Sequence, residues 1–104
     1  MTIINWTLRA QAALDGIYEH IHQDAPFYAE RFVQQVIDSV DRLEIFPLSG
    51  RCVPEAGRDD IREIIFQSYR VIYWFINDNR IDILSVLHGS RDLSNPENQP
   101  WTIH

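Results

Sequence analysis

Residues 61–92 constrain this chain more than any other stretch. They read IREIIFQS, YRVIYWFI, NDN and RIDILSVLHGSRD. No other part is as rich in the β-branched and aromatic side chains that suit a pleated, half-buried strand. Two turn signals divide the run: Gln67-Ser68, and Asn77-Asp78-Asn79, whose residues tolerate positive φ. The pattern predicts three consecutive strands joined by tight turns, an antiparallel meander. Along the middle strand Tyr69, Val71, Tyr73 and Phe75 face one way, and Arg70, Ile72, Trp74 and Ile76 the other. Both sets are largely apolar, so this strand is expected inside a sheet with helices over at least one face. Arg62, Arg70, His88 and Arg91 interrupt the apolar wall and are the first residues to consider for a functional site.

The helices to cover that sheet precede it. Residues 2–6 (TIINW) read as an edge strand, and Thr7 as the N-cap of a first helix. Ala10, Leu14, Ile17, Tyr18 and Ile21 then recur on one helical face, with Asp15, Glu19 and Gln23 opposite. Gly16 is unfavourable within a helix by about 1 kcal/mol relative to alanine, which suggests close approach of a neighbouring element. Asp24-Ala25-Pro26 ends this helix and opens a second, with Asp24 as its cap and proline in its first turn. Ala29, Phe32, Val33, Val36, Ile37, Val40 and Leu43 form the second stripe, which ends by Phe46-Pro47. So short a link makes the two helices antiparallel neighbours. Residues 47–60 read as an ordered loop pinned over the sheet by Leu48 and Val53. Residues 94–104 read as a tail whose Trp101 and Ile103 dock on a surface, the protein's own in preference to a partner's. The order predicts an α+β two-layer sandwich: an N-terminal strand, an αα-hairpin, then a meander completing one mostly antiparallel sheet. Its single domain spans residues 2–93.

Charge narrows the function. The net charge is −6 and all nine basic residues are arginine, so no lysine can serve as base, Schiff-base former or phosphate clamp. Three arginines face seven acids in the first fifty residues and six face eight in the remainder. Neither half is basic, which argues against direct high-affinity binding of nucleic acid. The single cysteine, Cys52, excludes an internal disulfide and reads as a buried or inert thiol rather than a nucleophile. The opening MTIINWTLRA lacks the features of a signal peptide, and no apolar run is long enough to span a membrane. The expectation is a cytoplasmic protein. His20 and His22 do not share a helical face, and with His104 they offer no metal spacing. No metal or cofactor is expected.

Three segments carry a family likeness. LEIFPLSGRCVPE at residues 43–55, IREIIFQSYRVIYWF at 61–75 and ILSVLHGSRDL at 83–93 together resemble the RelE/ParE toxins of type II toxin–antitoxin modules, over about residues 6–93. In that family a helix hairpin ends in an "L…P..GR.vpE" loop, an "iRe…yRviY" hairpin follows, and the last strand closes with "v.Hg.Rdl". The resemblance implies that the N-terminal strand pairs with the last one. It also implies a growth-inhibiting toxin neutralised by a cognate, ParD-like antitoxin.

Two activities occur in the superfamily, so the fold alone does not choose between them. The ParE-like reading, an inhibitor of DNA gyrase rather than an enzyme, is preferred. The RelE-like alternative is a ribosome-dependent mRNA endoribonuclease, which needs a base, a cation for the phosphate and a proton donor. By resemblance Arg70 and Arg91 match the cations of such enzymes, Arg62 lies where they place a basic residue, and His88 is the available acid or base. The terminal tyrosine of those enzymes is absent, and Asp92 beside Arg91 would repel a phosphate. A third possibility is a degenerate toxin that retains only antitoxin binding. As target-binding candidates the reading names Arg62, Arg70, His88, Arg91 and Trp101. Each has a plainer role: Arg62 and Arg70 could pair with Glu55, Glu63 or Asp82, and His88 reads most simply as a hydrogen-bonded strand-end histidine.

Overall fold

The computed structural model describes residues 1–102. Its elements are β1 (Ile3–Trp6), α1 (Leu8–His22), α2 (Pro26–Asp41), a 3-10 turn (Arg42–Glu44), β2 (Arg51–Cys52), β3 (Ile61–Phe66), β4 (Tyr69–Asn77), β5 (Arg80–His88) and a second 3-10 turn (Pro96–Asn98). The strands form one sheet in the order β1-β5-β4-β3-β2. β4 is internal, as its two apolar faces require. β1 pairs with β5, in parallel, while every other pairing is antiparallel. The two-residue β2 lies within the stretch expected to be loop and forms the opposite edge, Arg51 facing Glu63 and Cys52 facing Arg62. Cys52 is exposed there rather than buried, because it stands on an edge strand of only two residues.

Helix α1 starts as its sequence predicts. The Thr7 hydroxyl accepts from the Ala10 N–H at 3.1 Å and donates to the Ile83 carbonyl at 2.7 Å, tying the helix start to β5. The start of α2 differs from expectation. Its cap position is Ala25, with no side-chain cap, because the Asp24 and Ala25 N–H groups both return to the Ile21 carbonyl and leave Asp24 one residue too early. Pro26 occupies the first turn as expected. Gly16 also departs from its reading: a Cβ placed there would meet nothing within 4 Å.

The sheet separates two apolar clusters. On the helix side Ala10, Leu14, Phe32, Val36, Val40 and Leu43 pack against Val71, Tyr73, Ile81, Ile83 and Val86. On the other side Val53, Ile61, Ile72, Leu87 and Leu93 form a smaller core, with Trp74, Leu84 and Trp101 against it. The helices thus lie on one face, and the 53–56 loop and the tail on the other. Trp101 packs on the protein's own surface; Ile103 lies outside the described residues.

One irregularity decides where the end of β5 points. Ile72 pairs with Ser85 but Tyr73 pairs with Ile83, so Leu84 is an extra residue in β5. A one-residue insertion exchanges the faces of everything beyond it. Val86 and His88 therefore turn to the helix side, where His88 meets Tyr69 edge-on with ring centroids 5.3 Å apart.

Candidate functional site

The five residues singled out from the sequence do not form one constellation. Arg70 lies on the face away from the helices, its side chain 9% exposed. Its Nη1 and Nη2 each donate to a Glu55 carboxylate oxygen at 2.9 Å, and its Nε donates to Glu63 Oε1. The other oxygen of Glu63 accepts from Arg51 Nε at 2.7 Å, and the Glu63 side chain is fully buried. The hydrogen bonds from Arg70 hold the Glu55 carboxyl at about 2, and the charges of Arg70 and Arg51 add to the effect against desolvation. The same pairing raises the Arg70 guanidinium above its ordinary value. These charge-assisted bonds use three of the five N–H groups of Arg70, and its 9% exposure leaves little of the guanidinium for a ligand to reach.

Arg62 is also occupied, though not by an acid. Its Nη1 donates to the Leu48 carbonyl at 3.2 Å and the Gly50 carbonyl at 2.9 Å, and its Nε to the Asp59 carbonyl at 3.0 Å. Tyr73 completes this staple, donating to the Pro47 carbonyl and accepting from the Gly50 N–H, both at 3.0 Å. Gly50 is required by that contact, since a Cβ there would lie 2.5 Å from the Tyr73 hydroxyl. These bonds pin the loop together with buried Val53, whereas Leu48 is half exposed. Asp82, considered as a partner for Arg62 or Arg70, pairs with Arg80 instead. Trp101 packs, partly buried, against the cluster that contains Ile61 and lines a small pocket with Ile61, Trp74 and Leu84; the Trp74 indole donates to Asp60 at 3.1 Å.

Only His88 and Arg91 meet. They line a groove of about 680 Å³ between α1 and the end of β5, floored on the helix side by Ala12, Ala13 and Gly16. Arg9 and His20, at the two ends of α1, line the same groove. Sequence reasoning missed both, although Arg9, Ala12, Ala13, Gly16 and His20 are spaced as a second stripe of α1 beside its apolar one. Among the described residues no carboxylate lines the groove. Neither Arg9 nor Arg91 forms an ion pair among the described residues.

The histidine in it is held in one role. The Ser90 N–H donates to His88 Nδ1 at 3.1 Å, and the Ser90 hydroxyl lies 2.7 Å from the same nitrogen. With Nδ1 accepting, the neutral ring carries its proton on Nε2. The groove therefore presents donors, two guanidinium groups and an imidazole N–H, and suits an anionic group better than it suits proton abstraction. Among the described residues no three His, Cys, Asp or Glu side chains cluster as metal ligands, and no helix is long and apolar enough to cross a membrane.

Comparison with known proteins agrees with this fold. The family described as "ParE toxin of type II toxin-antitoxin system, parDE" matches residues 4–93. Y4kP of Sinorhizobium fredii (strain NBRC 101917 / NGR234), named as a candidate toxin, is 36% identical over 87 residues, covering 83% of this chain and 86% of the relative. A solved structure described as a chromosomal ParDE toxin–antitoxin system from P. aeruginosa superposes with a TM-score of 0.71 at 24% identity. It covers 85% of this chain and 96% of that one.

Proposed function

Since this chain belongs to the ParE toxin family of type II toxin–antitoxin systems, we propose that it inhibits DNA gyrase in the cytoplasm and is held inactive by a cognate antitoxin. The observation that carries the inhibitor reading over the nuclease reading is the burial of Arg70 between Glu55 and Glu63. A ribonuclease needs cations and an acid–base group around one phosphate. Here Arg70 lies on the opposite face of the sheet from His88, Arg62 is bound to backbone carbonyls, and the Nδ1 of His88 is occupied. Of the residues singled out from the sequence, His88 and Arg91 remain open, as surface donors for a target contact. An inhibitor needs only such a surface, because its effect comes from binding.

The test is direct. Purified protein should inhibit gyrase supercoiling while leaving mRNA intact on programmed ribosomes. Expression without antitoxin should induce the DNA-damage response and filamentation before translation slows. Cleavage of mRNA in the ribosomal A site, abolished by His88→Ala with the fold retained, would overturn the proposal in favour of the nuclease.

A further inference from the structure

We propose that the open edge of β3 at residues 64–66 takes up a short, extended acidic segment of a protein partner as an added strand, the carboxylates of that segment set against Arg42 and Arg51. The site is independent of which target the toxin inhibits. Three observations carry it.

The first is the pairing of the sheet. β3 runs from Ile61 to Phe66, but β2 covers only Arg62 and Glu63. Backbone groups of successive residues alternate between the two neighbours of a strand. The Ile61 carbonyl accepts from the Val53 N–H at 3.0 Å, and Glu63 stands opposite Arg51. The N–H and C=O of Ile65 therefore point the same way, past the end of β2. Free edges are commonly guarded by lysine, proline or a bulge. Here residues 64–66 are Ile, Ile and Phe, and the β3–β4 register is unbroken. The other edge of the sheet is closed at both ends of β1: the Thr2 N–H donates to the Glu44 carbonyl at 3.0 Å, and Gln11 Nε2 to the Trp6 carbonyl at 2.9 Å.

The second is the surface beside that edge. Ile65 is 50% exposed, although it is apolar and β-branched. A cavity of about 580 Å³ follows residues 64–66, walled by Ser39 of α2, Arg42 of the turn after it, Ser49, Arg51 and Glu63. That volume falls within the ~300–1,000 Å³ of ordinary binding clefts. An added strand gains affinity from main-chain hydrogen bonds, and its side chains meet the flanking surface and set the choice of partner.

The third is charge. Glu63 is the one acid among the described lining residues, and it is fully buried and already bonded by Arg70 and Arg51. Arg51 spends its Nε on Glu63, and its side chain is 62% exposed, which leaves its Nη groups for a ligand. Arg42 forms no ion pair among the described residues. Two guanidinium groups beside an acid already neutralised fit a carboxylate. They also count against a second copy as the occupant, since each copy would bring its own arginines to the junction. With Ile65 against Ile65 across a two-fold axis, Gln67 of the second copy would fall opposite Glu63, where Arg51 already stands.

Amide hydrogen exchange and fluorescence anisotropy on the full chain test this. The probes are a labelled peptide of mixed valine and glutamate, its glutamine counterpart, a backbone N-methylated version, and a single-stranded oligodeoxynucleotide of equal charge. In the free protein the Ile65 amide should exchange faster than those of Ile64 and Phe66, and saturating glutamate peptide should slow it roughly tenfold or more. The glutamate peptide should bind more weakly as salt rises. The glutamine and N-methylated peptides should each lose at least roughly tenfold in affinity, the first for want of charge and the second for want of donors. Arg42→Gln should weaken binding by a similar factor, and Ile65→Glu should abolish it with the unfolding temperature unchanged. Arg31→Gln, on exposed α2 surface, should have no effect. Unchanged exchange at Ile65 under saturating peptide, equal binding of the glutamine or N-methylated peptide, full affinity in Arg42→Gln, or tighter binding of the oligonucleotide would each overturn the proposal. So would a wild-type dimer in sedimentation that Ile65→Glu separates, because a second copy would then occupy the edge.

Discussion

Arg70 pairs through all three of its nitrogens with Glu55 and Glu63, and Glu63 is fully buried. Removing one partner of a buried ion pair strands the other charge, which typically costs about 3–5 kcal/mol. Arg70→Ala should therefore lower the urea-unfolding free energy by about that amount, and Glu63→Gln in the same chain should recover part of it. A loss below about 1 kcal/mol would show the cluster to be dispensable. The cluster also sets an acid limit. Glu55 is held at about 2 against an ordinary 4.5, so the folded protein binds fewer protons than the unfolded chain between those values. Its contribution is present in full above pH 4.5 and is lost as the pH falls towards 2. Wild-type stability should drop over that window, and the drop should be shallower in Glu55→Gln. Equal slopes in pH-dependent urea melts would refute the assignment to Glu55.

Among the elements, α1 depends most visibly on a single side chain. The Thr7 hydroxyl caps the helix and also binds the carbonyl of Ile83. Loss of a cap typically costs about 0.5–2 kcal/mol, and here the link to β5 goes with it. Thr7→Ala should reduce stability by about 1–2 kcal/mol, whereas Thr7→Ser should retain most of it. Identical melts for Thr7→Ala and wild type would mean that the cap is replaced by water at no loss. The extra residue Leu84 acts at the same scale. By changing the alternation of β5 it brings His88 to the groove side and keeps Leu87 in the second core.

For the whole molecule, the sheet is covered by helices on one face and by loop and tail on the other. The tail belongs to the packing, since Trp101 lies on the second cluster and Gln99 donates to the Leu93 carbonyl at 2.8 Å. Trp101 is only partly buried, so it contributes less than the roughly 1.5–3 kcal/mol of a fully buried large side chain, on the order of 1–2 kcal/mol. Trp101→Ala should lower the thermal midpoint by roughly 10 °C, measured by calorimetry. An unchanged midpoint would show the tail to be a passive appendage. If toxicity at low temperature survives the substitution, Trp101 acts through the fold and makes no target contact.

The sequence alone was enough for what depends on local periodicity. Alternation of apolar residues along residues 69–77 marked the internal strand and both its faces, the stripes of Phe32, Val36 and Val40 marked α2, and Thr7 announced the start of α1. These signals are local because the period of a strand or helix is set by the backbone of that element. The short edge strand Arg51–Cys52 carries no such period, and Asp24 satisfied the chemistry of a cap one residue from where the chain turned. Only the tertiary structure separated the candidate residues. Arg62, Arg70 and Arg91 look alike in sequence, yet one staples a loop, one is buried between two glutamates and one is open to the groove. Which acid or carbonyl an arginine reaches depends on long-range pairing between strands and loops. The placement of His88 depends on one bulged residue whose effect no pattern around it reveals. Arg9 joins His88 and Arg91 because α1 packs across the end of β5, a contact between parts of the chain almost eighty residues apart.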